Sequence, residues 1–237
     1  MIKSVLFMRT LRITIYACVL MGIDIIYVSA HEQVTASISS VGWRKESLNE
    51  VIEALLPQVD RINVFLQNYD SVPSFLMNSK ITVARGEDYP HALALGACAK
   101  FFWAKNIQGY HIIADDDLIY PRNYVSLLIK KIEQYGRKAV VGFHGKIFHR
   151  QDNGTYKRIL YHYIRSLAND TWVNLLGTGV MAYHSDTIKI SLEDFVVRNH
   201  ADMGFALIAR RQGIPLVCIE RPKKTVLRGK ESRDPRA

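Results

Sequence analysis

Cysteine is scarce. The 237 residues hold three, Cys18, Cys98 and Cys218, far apart and in no C-x-x-C spacing, which excludes a disulfide scaffold and a zinc finger. Glycine and proline number only 14 and 7, too few for a collagen-like or low-complexity chain. None of the eight histidines forms an H-E-x-x-H element. His144, His149, His162, His184 and His200 fall in separate segments, so a histidine-built zinc centre is not expected. No internal repeat is visible. The one long apolar run, residues 13–30, is barely long enough to span a bilayer and is interrupted by Asp24, which is expensive in lipid. Residues 1–32 therefore read as an apolar extension with three explanations open. They are a membrane-associated segment, a signal cleaved after Val28-Ser29-Ala30, or a stretch packed on the neighbouring domain.

Acidic residues are the scarcer charge, 22 against 31 basic, for a net charge of +9. That balance favours anionic partners such as nucleotides, nucleic acid or acidic headgroups. The basic residues are not interleaved with aromatics in a recognisable module, so no nucleic-acid role is expected. Residues 221–237 are read as a solvated basic tail.

Between these ends, strand and helix patterns alternate. Strands are expected over 33–41, 61–66, 80–84, 110–114, 138–143, 173–176, 180–183 and 216–219. A capping-box pattern at Ser47–Glu50 opens a helix with Leu48, Val51, Ile52, Leu55 and Leu56 on one face. Further helices are expected over 92–104, from Pro121 to about Gly136, and over 202–211. Residues 144–172 have no clean periodicity and read as an excursion. The β-α order implies an α/β fold, a single domain over 33–220 with a mostly parallel central sheet flanked by helices.

The chemistry concentrates where the apolar strand 110–114 runs into Asp115-Asp116-Asp117. Three adjoining carboxylates after a buried strand repel one another and resist burial, and a hard divalent cation resolves that conflict. If the backbone stays extended, Asp115 and Asp117 project to one side and Asp116 to the other. Ligands of open α/β sheets bind beyond the carboxyl ends of strands. The competing explanation is an acidic turn that favours the start of the following helix.

The segment HIIADDDLIYPRNYVSLLIKKIEQY (111–135) resembles the D-x-D region of GT-A-fold (Rossmann-related) glycosyltransferases, closest to the family-2-like enzymes of capsule and surface-polysaccharide assembly. The resemblance extends through 35–70, KAVVGFHG (138–145), LLGTGVMAYH (175–184) and ADMGFALIARRQGIPLVCI (201–219). It implies transfer of a sugar from a nucleotide-diphosphate donor, a UDP-sugar above all, to a saccharide or lipid-linked hydroxyl acceptor, with Mn²⁺ or Mg²⁺ as cofactor. On that pattern Asp115 or Asp116 contacts the ribose, Asp117 and Asp115 hold the metal, and His184 is a further candidate for metal or diphosphate. Ser37, Asn68 and Asp70 are assigned to the nucleotide base, and Arg44 and Arg85 to the neighbourhood of the donor or to surface ion pairs. Gly177, Thr178 and Gly179 form a sugar and acceptor floor, or simply a tight turn. Asp202 is the expected base of an inverting transfer, or only a helix cap. Ala201 stands where the family carries Glu. No Q-x-x-R-W motif is present, so a non-processive enzyme is expected, acting in the cytoplasm or at the inner face of a membrane. A nucleotidyltransferase and a catalytically degenerate nucleotide-sugar-binding subunit are the rival readings.

Overall fold

The computed structural model describes residues 31–229. Eight strands make the main sheet: β1 (Val34–Val41), β2 (Arg61–Gln67), β3 (Ile81–Arg85), β4 (Tyr110–Asp115), β6 (Val140–Gly142), β9 (Thr171–Val173), β11 (Val180–His184) and β12 (Leu216–Cys218). Across the sheet they lie in the order β3-β2-β1-β4-β11-β6-β12-β9. Strands β1, β2, β3, β4, β6 and β12 share one direction, and β11 and β9 oppose it. The expected α/β architecture with a mostly parallel sheet is thus what the chain adopts. The central strands are apolar or small-residue runs buried on both faces, as sheet strands covered from two sides require.

Helices α1 (Lys45–Leu55) and α3 (Tyr124–Gln134) cover one face. Leu48, Val51, Ile52 and Leu55 from α1 and Tyr124, Val125, Leu128 and Ile132 from α3 pack there on Ile38, Ile62, Val64 and Ile112. The short α2 (Pro90–Ala94), a 3₁₀ segment Gly96–Phe101 and α4 (Ala201–Arg211) cover the other, with Phe101 stacked on both Phe195 and Phe205. Among the described residues no helix is long and apolar enough to cross a membrane.

Several boundaries differ from expectation. Helix α1 begins at Lys45, so Ser47 lies inside its first turn, its hydroxyl donating to Arg44 O (3.2 Å), and is no cap. The helix expected over 92–104 is broken, because Gly96 adopts a left-handed φ of 59° where a side chain would strike Asn199. Residues 144–172 contain a hairpin, β7 (Gly145–Arg150) with β8 (Tyr156–Tyr161), joined to β10 (Leu175–Leu176) in a small second sheet. The expected tail is also partly folded. β13 (Leu227–Arg228) pairs antiparallel with β5 (Leu118–Ile119), directly after the aspartate triplet. The apolar run 13–30 and the tail beyond 229 lie outside the described residues.

Candidate active site

All six parallel strands deliver their carboxyl ends to one edge of the sheet, and the triplet sits in the middle of it. Asp115 is the last residue of β4, opposite Ser39 of β1. Asp116 and Asp117 form the turn into β5. The backbone is extended only as far as Asp115, so the expected alternation does not run through the triplet: Asp116 is buried in the turn, while Asp115 is partly open to solvent.

Two cations meet these carboxylates. Arg44 leaves the turn after β1 and donates from Nη1 to Asp116 Oδ1 at 2.7 Å, with Nη2 3.4 Å from Asp117 Oδ2. Its backbone is set by Gly42, where a Cβ would collide with the carbonyl of Asn68 at the end of β2. The guanidinium lies 4.5 Å over the Trp43 ring. Lys100, from the 3₁₀ segment, reaches the triplet from the opposite face of the sheet, and its buried ammonium is paired with Asp115 Oδ1. Burial alone would depress that ammonium's pKa, but Asp115, with Asp202 and Asp116 behind it, holds it above the ordinary lysine value.

The glycine-rich turn between β10 and β11 closes over Asp115. Gly179 has no room for a Cβ, because the Asp115 carboxylate fills that space. Tyr120 staples the two: its hydroxyl donates to Gly179 O at 2.6 Å and accepts from the Asp115 N–H at 2.8 Å. The next residue back, Thr178, donates from both its N–H and its Oγ1 to Asp202 Oδ1, each at 2.8 Å. Asp202, in the first turn of α4, therefore does more than favour a helix N-terminus. It is tied through Thr178 and Gly179 to the triplet, and its second oxygen takes no part in that tie.

Four carboxylates thus share a site with two fixed cations, which leaves an excess of negative charge. Asp117 carries much of the strain: burial first, and the like charge of Asp115 second, push its pKa from 3.8 to about 6 against the pull of Arg44. Burial also raises Asp116, with Arg44 opposing, and Asp116 Oδ2 has no hydrogen-bond partner among the described residues. Among those residues no set of three or more His, Cys, Asp or Glu side chains is gathered to hold a metal by itself. Asp115 and Asp117 fit the other mode, in which one or two carboxylates and the oxygens of a phosphate share a hard divalent ion.

Near Asp202 the wall is aromatic. His144, after β6, packs on Gly177, with ring centroids 5.1 Å from His162 and 5.7 Å from Tyr163. Burial first, then His162 and Lys146, lower its pKa to about 4, and its Nδ1 is buried without a partner among the described residues.

Two assignments are corrected by position. Ser37 is not at the end of β1, which runs four residues further. It is wholly buried and shares a 2.7 Å hydrogen bond with His111, which bonds Tyr183 OH on its other side. His184 lies at the far end of the sheet, opposite Tyr110 in register and five residues from Asp115, or roughly 16 Å at a strand's rise. It is held there beside Arg137, Glu32 and Asp186 and cannot reach the triplet. Asn68, Asp70 and Arg85 do lie at the triplet's edge of the sheet. Asn68 has a positive φ of 54° and is exposed, as is Asp70, and Arg85 pairs with Glu87. None of the three touches the aspartates.

Lys100 and Tyr120 are the site residues that sequence patterns missed. Gln67, which donates to Ser39 Oγ and Gly96 O, is a third neighbour at this edge. A lysine inside an alanine-rich run reads as a solvated helix position, and only the break at Gly96 turns it inward.

No protein-family model matches the chain, and no curated protein matches it. Solved structures do. Glucosyl-3-phosphoglycerate synthase from Mycobacterium tuberculosis, crystallised with phosphoglyceric acid, is 15% identical with a TM-score of 0.39. That match covers 47% of this chain and 43% of the synthase chain, less than half of either. A197 from STIV is 12% identical with a TM-score of 0.41, over 85% of this chain and 96% of its own.

Proposed function

We propose that this chain is a metal-dependent glycosyltransferase that moves a sugar from a nucleotide-diphosphate donor, a UDP-sugar in the first instance, to a hydroxyl acceptor. One observation carries the reading. At the carboxyl edge of a mostly parallel sheet, an under-compensated aspartate cluster is joined, through the Gly177–Gly179 turn, to a second carboxylate whose other oxygen has no hydrogen bond among the described residues.

Asp115 and Asp117 would hold Mn²⁺ or Mg²⁺ together with the donor diphosphate. When bound, the ion neutralises charge on the departing nucleotide. Arg44 fixes Asp116 and flanks Asp117, which keeps the turn in one conformation before the donor arrives. Gly177–Gly179 offers backbone where a sugar ring has to approach closely. Asp202 is held by Thr178 through Oδ1, so its Oδ2 is the atom that accepts the acceptor's proton as the hydroxyl attacks the anomeric carbon. Attack from the Asp202 side, opposite the leaving diphosphate, inverts the sugar. A single transfer, at the cytoplasmic face of a membrane in surface-polysaccharide or glycolipid assembly, is the setting that goes with these parts.

The test is incubation of the full chain with radiolabelled UDP-, GDP-, CMP- and dTDP-sugars and Mn²⁺, with product analysis. Consumption of one donor that is stopped by EDTA and by Asp117→Asn supports the proposal. Release of pyrophosphate from a nucleoside triphosphate and a sugar phosphate, with no donor consumed, would replace it by nucleotidyl transfer. Donor binding without turnover, in the presence of varied acceptors, would reduce the chain to a binding subunit.

A further inference from the structure

Helix α4 is apolar on two sides. Ala201, Phe205, Ile208 and Ala209 are buried in the core. A second stripe, His200, Met203, Gly204, Leu207 and Arg211, recurs at three- and four-residue spacing, the repeat of a single helix face. With Val196 and Val197 of the preceding loop it lines one groove of about 160 Å³. Val196 is 86% exposed, Val197 52%, Met203 45% and Leu207 48%. Single exposed apolar side chains are ordinary, but four gathered on one groove mark a surface that meets something.

Arg211 lines the groove, and Arg198 and Arg210 adjoin its lining residues Val197 and Arg211 in sequence. All three are exposed, and none forms an ion pair among the described residues. One acid, Asp194, lines the groove as well, and each nearby acid has a local partner. Asp194 accepts from the Ser191 N–H at 2.8 Å, and Glu193 is hydrogen-bonded to Ser191 and drawn toward Lys105 and His91. Asp202, on the same helix, is turned to Thr178. The chain as a whole carries +9. Four apolar side chains also fall well short of the ~20–30 residues a side that a stable protein interface uses.

We propose that the groove formed by α4 and residues 195–198 docks on an anionic lipid surface. Val196, Val197, Met203 and Leu207 enter the acyl boundary, and Arg198, Arg210 and Arg211 meet the headgroup phosphates. This docking does not depend on the sugar-transfer reading, because its readout is partition and not turnover. Where both hold, the docking groove is on the helix that carries Asp202, which suits an acceptor carried on a lipid.

The experiment uses the full chain with vesicles of phosphatidylcholine alone or with phosphatidylglycerol added. Sedimentation is expected to recover the protein with the anionic vesicles, and partition to fall about fivefold for each of Arg198, Arg210 and Arg211 changed to Gln. Met203→Ser with Leu207→Ser, both at exposed positions, lowers it about tenfold together. To separate this groove from any contribution of residues 1–30, a bimane label is placed by Leu207→Cys or, on the opposite face of the sheet, by Glu53→Cys. Both carry Cys18→Ser, and Cys98 and Cys218 are buried. Brominated anionic lipids quench the label at 207 and spare the one at 53. Equal quenching at both positions, no quenching at 207, or a dimer by light scattering with 207 shielded before vesicles are added would each overturn the proposal.

Discussion

Asp117→Asn should make the metal-free protein more stable, and the gain should depend on pH. The Asp117 pKa stands at about 6 in the folded chain, against 3.8 ordinarily, because it is buried beside Asp115 with only part of Arg44's charge to balance it. At about 1.4 kcal/mol for each factor of ten in proton affinity, the ionised carboxylate costs the fold about 3 kcal/mol at neutral pH. Local relaxation brings the expected gain from Asn to about 1–3 kcal/mol.

The sign follows from linkage. Between pH 4 and 6 the folded state binds the extra proton, so this group's contribution falls as pH rises through that window and is constant above it. His111 acts in the opposite direction. Its pKa is lowered to about 3 by burial, so its contribution is complete above pH 6.5 and is lost on acidification toward 3. The His111 term is common to wild type and variant and cancels in their difference. Thermal denaturation without divalent ions should therefore show Asp117→Asn melting higher at pH 7, at about 2–4 °C per kcal/mol for a domain of this size. The two should converge near pH 4. With Mn²⁺ and UDP present the order should reverse, because only the wild type gains from the ligand. A variant that is less stable than wild type at pH 7 without metal, or whose difference is the same at pH 4 and 7, would refute the charge-repulsion account.

Other consequences are as direct. Asp202→Asn keeps an oxygen for the two Thr178 donors, so donor binding by calorimetry should be unchanged while turnover falls by about 10²–10⁴. Gly179→Ala forces the Asp115 carboxylate aside and should cost about 1–3 kcal/mol in urea melts along with most of the Mn²⁺ affinity. Gly229→Ala drives a Cβ into the Asp117 carbonyl, which the Gly229 N–H contacts at 2.7 Å. Hydrogen exchange should quicken in β5 and β13 and stay unchanged in β1. His111→Ala strands the buried hydroxyls of Ser37 and Tyr183 and should lower stability by about 2–4 kcal/mol, with no effect on donor binding, since His111 lies inside the sheet.

Most of the strand and helix order was legible because buried strands and one-sided helices leave strong periodicities, as Arg61–Gln67 and Tyr124–Gln134 illustrate. The triplet was legible because a strand that ends in three like charges is a local conflict with few physical solutions. What escaped the sequence depended on tertiary geometry. Ser37 is indistinguishable from Ser39 and Ser40 in the run VTASISSV until the register with β4 sets which of them meets Asp115 and which meets the buried His111. His184 comes soon after the glycine turn in sequence, but β11 runs antiparallel to β4 and carries it to the opposite edge of the sheet. The β7–β8 hairpin was hidden because its strands are half-exposed and do not alternate cleanly, leaving the turn around Asn153-Gly154 as its only signal. The inward turn of Lys100 depends on a backbone conformation at Gly96 that is imposed by Asn199, more than a hundred residues away.

The central claim is that Asp115 and Asp117 grip a divalent ion against a nucleotide diphosphate. Electron paramagnetic resonance of Mn²⁺ titrated into the full chain with UDP tests it most directly. The account predicts that the free-ion signal is lost when protein and UDP are both present, to an extent beyond that with UDP alone, and that Asp117→Asn restores it. A signal that protein leaves unchanged, or one that wild type and Asp117→Asn reduce equally, would contradict it.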